Sequence, residues 1–253
     1  ELRGKHVSET IQFLRKQFGH EVGIICIGPA GEMKMTGAGV AVSDVNDIQL
    51  RYAARGGLGA VMGSKGIKAI VVDDSDAVSP QMFDDALLRE ASKALAQAIL
   101  EDPKTENRHK LGTPAILMVA NELGLLPTRN FSAGRFEKAE EIAGERVAEV
   151  IAARGGEGRS GTPCLRGCVI ACSNVFPDPS GKKAVASIQY ENIVLLGSNC
   201  GIGDLDEIAE LNHLCNQVGV DAIETGAAIG VAMEAGVIPF GDAKGAKDLI
   251  RQI

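Results

Sequence analysis

The stretch VVDDSDAVSP, residues 71–80, divides the chain into two kinds of sequence. A β-branched pair runs into three aspartates, then Ser and Pro, residues that favour turns over ladders or helical turns. Ahead of it, HVSETIQFLRKQFG (6–19) has the 3.6-residue apolar period of a helix, whereas EVGIICIG (21–28), GAGVAV (37–42) and IKAIVV (67–72) are rich in strand formers. A further helix is expected around residues 47–55. Behind it β-branched runs nearly vanish, and helical periodicity predicts helices at 80–100, 114–125, 138–153, 190–196, 205–218 and 222–235. The pattern predicts an α+β fold: a mixed portion over residues 1–76 and a mainly helical domain over 77–253. The chain opens on Glu1 and closes inside an amphipathic pattern, DAKGAKDLIRQI (242–253), so a piece of a longer protein is expected.

Bulk properties narrow the function. With 253 residues, 45% of them apolar, the chain can bury a sizeable core. Lys and Arg number 26 against 33 Asp and Glu, a net charge of -7 without a basic block, which argues against a nucleic-acid partner. No apolar run approaches the roughly 18 residues of a membrane span, and ELRGKHVSET (1–10) does not have the basic and apolar regions of a secretory signal. A cytoplasmic setting is expected, where clustered thiols more often hold metal than form disulfides.

Four motifs carry chemistry. CLRGCVIAC (164–172) places three of the six cysteines within nine residues. On a regular helix Cys164, Cys168 and Cys172 would form one buried stripe, a packing role. As thiolates they supply three corners of an iron-sulfur cluster or a zinc site. Cys26, Cys200, Cys215 or a residue beyond the chain would be the fourth ligand. RGGLGAVMGSKGIKAIVV (55–72) is glycine-rich ahead of a strand, suiting either a tight turn or close approach to a phosphate, with Arg55 and Lys65 adding charge. It is not a dinucleotide fingerprint, since its glycines follow a helix and precede a strand. Nor is it a P-loop, since GSKG lacks Ser or Thr after Lys. GVDAIETG (219–226) sets Asp221 three residues before Glu224, a capping box that leaves an amide-rich helix start. ELNHLC puts Glu210 and His213 at i and i+3, which suits either a metal pair or a surface ion pair.

Together these segments resemble the tungsten-dependent aldehyde ferredoxin oxidoreductase family. The resemblance also covers IGPAGE (27–32), LGTPAILMVANELGLLPTRNF (111–131) and YENIVLLGSNCGIGDLDEIAELNHLC (190–215), in the family's order. It implies the end of an N-terminal pterin-binding domain followed by part of the helical middle domain, with a third domain absent. It also implies a tungsten (or molybdenum) bis-pterin cofactor. Arg55, Gly56, Gly57 and Gly59 then become contacts of the pterin phosphates, and Asp221, Ile223 and Thr225 hold a pterin. Glu191 stands beside the metal as a catalytic proton donor or acceptor. Cys164, Cys168 and Cys172 begin a 4Fe-4S site whose fourth ligand lies in the missing domain. The family has two residues between its first two cysteines; here there are three, and Gly167 lets the loop bulge. Glu210 and His213 match a pair that binds one metal at a subunit interface, which implies a homo-oligomer. The implied activity is oxidation of an aldehyde to a carboxylic acid, with electrons leaving through the cluster to ferredoxin. The alternatives are another substrate in the same family, or a non-catalytic metal or electron-transfer module.

Overall fold

The computed structural model describes residues 1–44 and 50–253. The fold is α+β. Helix α1 (Val7–Phe18) turns Val7, Ile11 and Leu14 inward, as its periodicity demands. It covers a four-stranded antiparallel sheet made of β1 (Gly23–Cys26), β2 (Val40–Ser43), β3 (Leu50–Ala53) and β4 (Ala69–Val72), in spatial order β3-β2-β1-β4. Ile25 on the central strand pairs with Val42 on one side and Ile70 on the other. The expected helix at 47–55 is corrected: residues 50–53 are strand β3, with Tyr52 opposite Ala41, and 45–49 lie outside the described residues. Leu-Arg-Tyr-Ala alternates its side chains across a sheet, and that pairing overrode a local helical pattern.

Two short helices pack beside the sheet, α2 (Pro29–Glu32) and α3 (Leu58–Ser64). Their approach is close enough that a Cβ on Gly63 would sit 1.9 Å from the Gly31 carbonyl oxygen, and one on Gly59 2.4 Å from that of Gly39. These glycines are therefore required by packing.

Residues 73–84 hold no helix or strand. The expected helix at 80–100 starts later, as α4 (Asp85–Glu101) capped by Asp84, and is followed by α5 (Pro103–Leu111), whose Pro103 forces a new start. A 3₁₀ turn (Thr113–Ile116) leads into α6 (Leu117–Glu122), and another (Ala139–Ile142) precedes α7 (Gly144–Arg154). The region expected to be mainly helical also contains a second antiparallel sheet of β5 (Arg159–Thr162), β6 (Ser173–Pro177) and β7 (Lys183–Val185). Helices α8 (Tyr190–Leu196), α9 (Leu205–Val218), α10 (Ala222–Glu234) and α11 (Ala243–Ile250) complete the chain.

The apolar core forms two clusters: one beneath α1 and the first sheet, and a larger one around Phe176, Ile193, Leu196, Ile208 and Leu211. They meet where α9 ends against the first sheet. Gly39 N–H donates to the Gly219 carbonyl (2.9 Å), Ala38 bridges to Val220, and the Tyr52 hydroxyl donates to the Asn216 carbonyl. This junction positions the site.

Candidate active site

A cavity of about 340 Å³ opens at that junction. Three distant segments line it: 50–55 from β3 and the loop after it, 186–192 leading into α8, and the turn between α9 and α10 with Val220, Asp221 and Ile223. Arg55, Glu191, Asp221 and Ile223, each a candidate from the sequence, face this one space.

Local chemistry explains how each is held. Asp221, 3% exposed, caps α10 by accepting the Glu224 N–H (3.2 Å), and its own N–H donates to the Gly37 carbonyl (2.9 Å). Its carboxylate is thus fixed at a helix start, where the dipole favours negative charge. Glu191 lies in the first turn of α8 and is exposed. The strip leading to it is pinned from both sides. The Asn174 side chain donates to the Ile188 carbonyl and accepts its N–H, both at 2.9 Å. Thr113 Oγ1 donates to Gln189 Oε1 (2.6 Å) and accepts the Tyr190 N–H (2.9 Å). Asn192 Nδ2 donates to Asn212 Oδ1 (3.1 Å), and Asn212 Nδ2 donates to the Ser187 carbonyl (3.0 Å). Burial, with the Glu191 charge beside it, pushes the Tyr190 hydroxyl pKa up.

The glycine-rich segment divides by role. Gly56 has φ +90° and open space where a Cβ would project, so its backbone is accessible to a ligand beside Arg55. Gly57, φ +69°, starts α3 in a left-handed conformation. Gly59 is buried against Ala38 and Gly39, a position that packing alone accounts for.

Other candidates lie elsewhere. Thr225 lines a different cavity, about 530 Å³, and hydrogen-bonds the Cys215 sulfur. His213 lines a third, about 500 Å³; burial lowers its pKa, and the nearby Glu210 opposes this. Glu210 accepts from Lys247 Nζ (2.7 Å) and Arg251 Nη2 (3.0 Å), so a metal there would compete with two cations.

The three clustered cysteines are not on a helix. They form the loop joining β5 to β6, turned by Gly167 at φ +82° and by Ala171, which is held left-handed at φ +47°. Cys168 accepts N–H groups of Ala171, Cys164 and Ile170, and amide donation at Ala171 leads in pulling its pKa below the usual thiol range. Burial, with Cys168 adding, pushes Cys164 up, while Arg51 acts in the opposite sense. Amides aimed at sulfur suit thiolate ligands of an iron-sulfur cluster. Among the described residues no three His, Cys, Asp or Glu side chains meet at a single-ion site. A cluster does not ask for that, because each thiolate binds its own iron. The remaining cysteines are core thiols: burial pushes Cys26 up to about 11 and Cys200 and Cys215 up to about 12.

Sequence reading missed Arg51, Asn192, Asn212 and Asn216 as cavity residues. Asn212 and Asn216 are four apart on α9 and share a helix face, a signal present in NHLCN but obscured by the attention drawn to Glu210 and His213.

Comparison with known proteins agrees with this architecture. Residues 1–74 match the N-terminal domain of aldehyde ferredoxin oxidoreductase, and residues 90–253 match its domains 2 and 3. The chain is 38% identical over 233 residues to a tungsten-containing aldehyde ferredoxin oxidoreductase of Pyrococcus furiosus, covering 91% of this chain and 36% of that protein. It is also 38% identical to one of Thermococcus kodakarensis, covering 92% and 36%. An aliphatic sulfonate oxidoreductase, WOR-like subunit, of P. furiosus is 28% identical over 237 residues, covering 91% and 35%. Among solved structures, the active-site complex BamBC of benzoyl coenzyme A reductase with 1,5-dienoyl-CoA shares the fold. Its TM-score is 0.66 at 18% identity, over 98% of this chain and 38% of that one. The fold is α+β, and the matched family and relatives are oxidoreductases. The chain belongs to the aldehyde ferredoxin oxidoreductase family, and it spans about a third of the length of the curated relatives it matches.

Proposed function

We propose that this chain forms part of an enzyme that oxidises aldehydes to carboxylic acids, within the two-domain division at residue 76 expected above. The observation that carries the reading is the single cavity onto which Arg55, Glu191, Asp221 and Ile223 converge from three segments. Its two guanidinium groups, with the accessible Gly56 backbone next in the chain to Arg55, fit a phosphate-bearing heterocycle. A bound tungsten (or molybdenum) bis-pterin would supply the two-electron oxidation.

The chain's own residues would bind and orient that group, exclude water, and move protons. Arg55, Gly56 and Gly57 bind phosphate; Asp221 and Ile223 hold a pterin edge, with Thr225 and Gly59 supporting from behind. An aldehyde and one water yield the acid, two protons and two electrons, and the Glu191 carboxylate takes up one proton and passes it to solvent, to which it is exposed. Cys164, Cys168 and Cys172 hold three corners of a 4Fe-4S cluster, the exit for the electrons to ferredoxin. Glu210 and His213 are kept as a mononuclear metal pair at an interface between copies.

A second reading keeps the scaffold and changes the substrate, and the sulfonate-named relative at 28% identity favours it. A substrate screen with a dye acceptor separates the two. The first test of both is tungsten, molybdenum, iron, zinc and acid-labile sulfide content of the full-length protein purified without oxygen. Tungsten with about four irons and matching sulfide is expected. Zinc alone would mean a structural metal module and overturn the proposal.

A further inference from the structure

Arg51 stands between the two parts of the proposed site. Its side chain lines the cavity shared by Arg55, Glu191 and Asp221. Its Nη2 donates to Ser173 Oγ at 3.1 Å, and Ser173 directly follows Cys172. Among the described residues Arg51 forms no ion pair, and its Nε is buried without a hydrogen-bond partner. A buried guanidinium nitrogen without an acceptor is costly, so a group that accepts from it or sits beside it as an anion would be favoured here. On one side of it lies the cysteine loop, and on the other the cavity that the Glu191 and Asp221 carboxylates also line.

We propose that Arg51 is a positioning residue that couples the cysteine loop to the cavity, its fixed positive charge raising the reduction potential of the cluster held by Cys164, Cys168 and Cys172. The inference rests on the cluster reading above. Reduction adds negative charge to the cluster, and a nearby cation stabilises the reduced form more than the oxidised one, so removing the cation shifts the potential downward. Ser173, buried at 3% exposure and also within 3.4 Å of Gln189 Nε2, holds the guanidinium in register with the strip that carries Glu191.

The test is an EPR-monitored redox titration of the cluster in full-length enzyme purified without oxygen, comparing wild type, Arg51→Lys and Arg51→Gln, with iron, sulfide and tungsten counted in each. Arg51→Gln is expected to keep its iron and sulfide and titrate at lower potential, with Arg51→Lys close to wild type. Equal potentials in wild type and Arg51→Gln, at equal iron, overturn the coupling while leaving the cluster reading intact. An equal drop in both variants overturns it too, since a charge effect is rescued by lysine. Wild type without iron and sulfide overturns the cluster reading and this inference with it. If Arg51→Gln does not fold, Ser173→Ala keeps the charge but releases its anchor. A smaller shift in the same direction supports the proposal, and an unchanged potential overturns it.

Discussion

Glu191 and Gly59 illustrate two kinds of dependence on a single residue. Glu191 is exposed at the cavity rim on a strip anchored by Thr113 and Asn174, so replacing it should have little effect on packing. Glu191→Gln in the full-length enzyme is expected to lower kcat by on the order of 10²-fold or more, the usual worth of a positioned proton carrier, with tungsten content unchanged. Steady-state kinetics with metal analysis checks this, and unchanged turnover removes Glu191 from the mechanism. Gly59 is the opposite case. A Cβ there would stand 2.4 Å from Gly39 O and 2.8 Å from the Ala38 carbonyl carbon, so Gly59→Ala should destabilise by about 1–3 kcal/mol, read as a lowered urea midpoint. Both residues stood out in the sequence as motif members. Only the neighbours that each meets in three dimensions tell a ligand-facing position from a packing one. Arg51 shows the reverse: nothing in LRYAARGG marks it above Arg55, because its partner Ser173 lies more than a hundred residues away.

At the scale of elements, α11 is fastened to α9 by charge as well as by burial of Ala246 and Ile250. Lys247 Nζ lies 2.7 Å from Glu207 Oε2 and from Glu210 Oε2, and Arg251 also reaches Glu210. Burial alone would lower the Lys247 pKa, yet the two carboxylates beside the ammonium outweigh it and leave the pKa raised. Because the carboxylates are about half exposed, Lys247→Ala should cost only about 1 kcal/mol and should lose that effect in high salt. Thermal melts at two ionic strengths measure it. Helices α1, α8, α9 and α10 were legible from apolar period and caps alone, since each buries one face and starts on a recognisable cap or turn. The strands β3 and β5–β7 were not, because a strand of three to five residues carries too few periods and depends on partners supplied from elsewhere.

Across the whole molecule, stability is unevenly distributed. None of the α4 residues is buried, and Leu87, Leu88, Leu95 and Leu100 are exposed, whereas α9 buries seven of its side chains. Hydrogen exchange of this 253-residue chain should show α4 exchanging much faster than α9; equal protection would contradict the uneven core. Three core thiols give the fold a dependence on alkaline pH. Their native pKa values, about 11 for Cys26 and about 12 for Cys200 and Cys215, stand above the ordinary 9.0. Above 9.0 the unfolded chain gives up protons that the folded chain keeps, so stability is full below that pH and declines as pH rises towards the native values. Urea unfolding on either side of pH 9.0 should show this fall, and replacing Cys215 by Ala should reduce it. Composition, apolar period and motif spacing were enough for an α+β chain with a glycine-rich segment, a cysteine cluster and a capped Asp221, because each of these is encoded within a few adjacent residues. The cavity joining Arg55 to Glu191 and Asp221, the loop conformation of the cysteines, and the place of Arg51 between them came only with the folded chain. Those arrangements depend on contacts between segments far apart in sequence, where packing of β3 against the end of α9 selects which side chains meet.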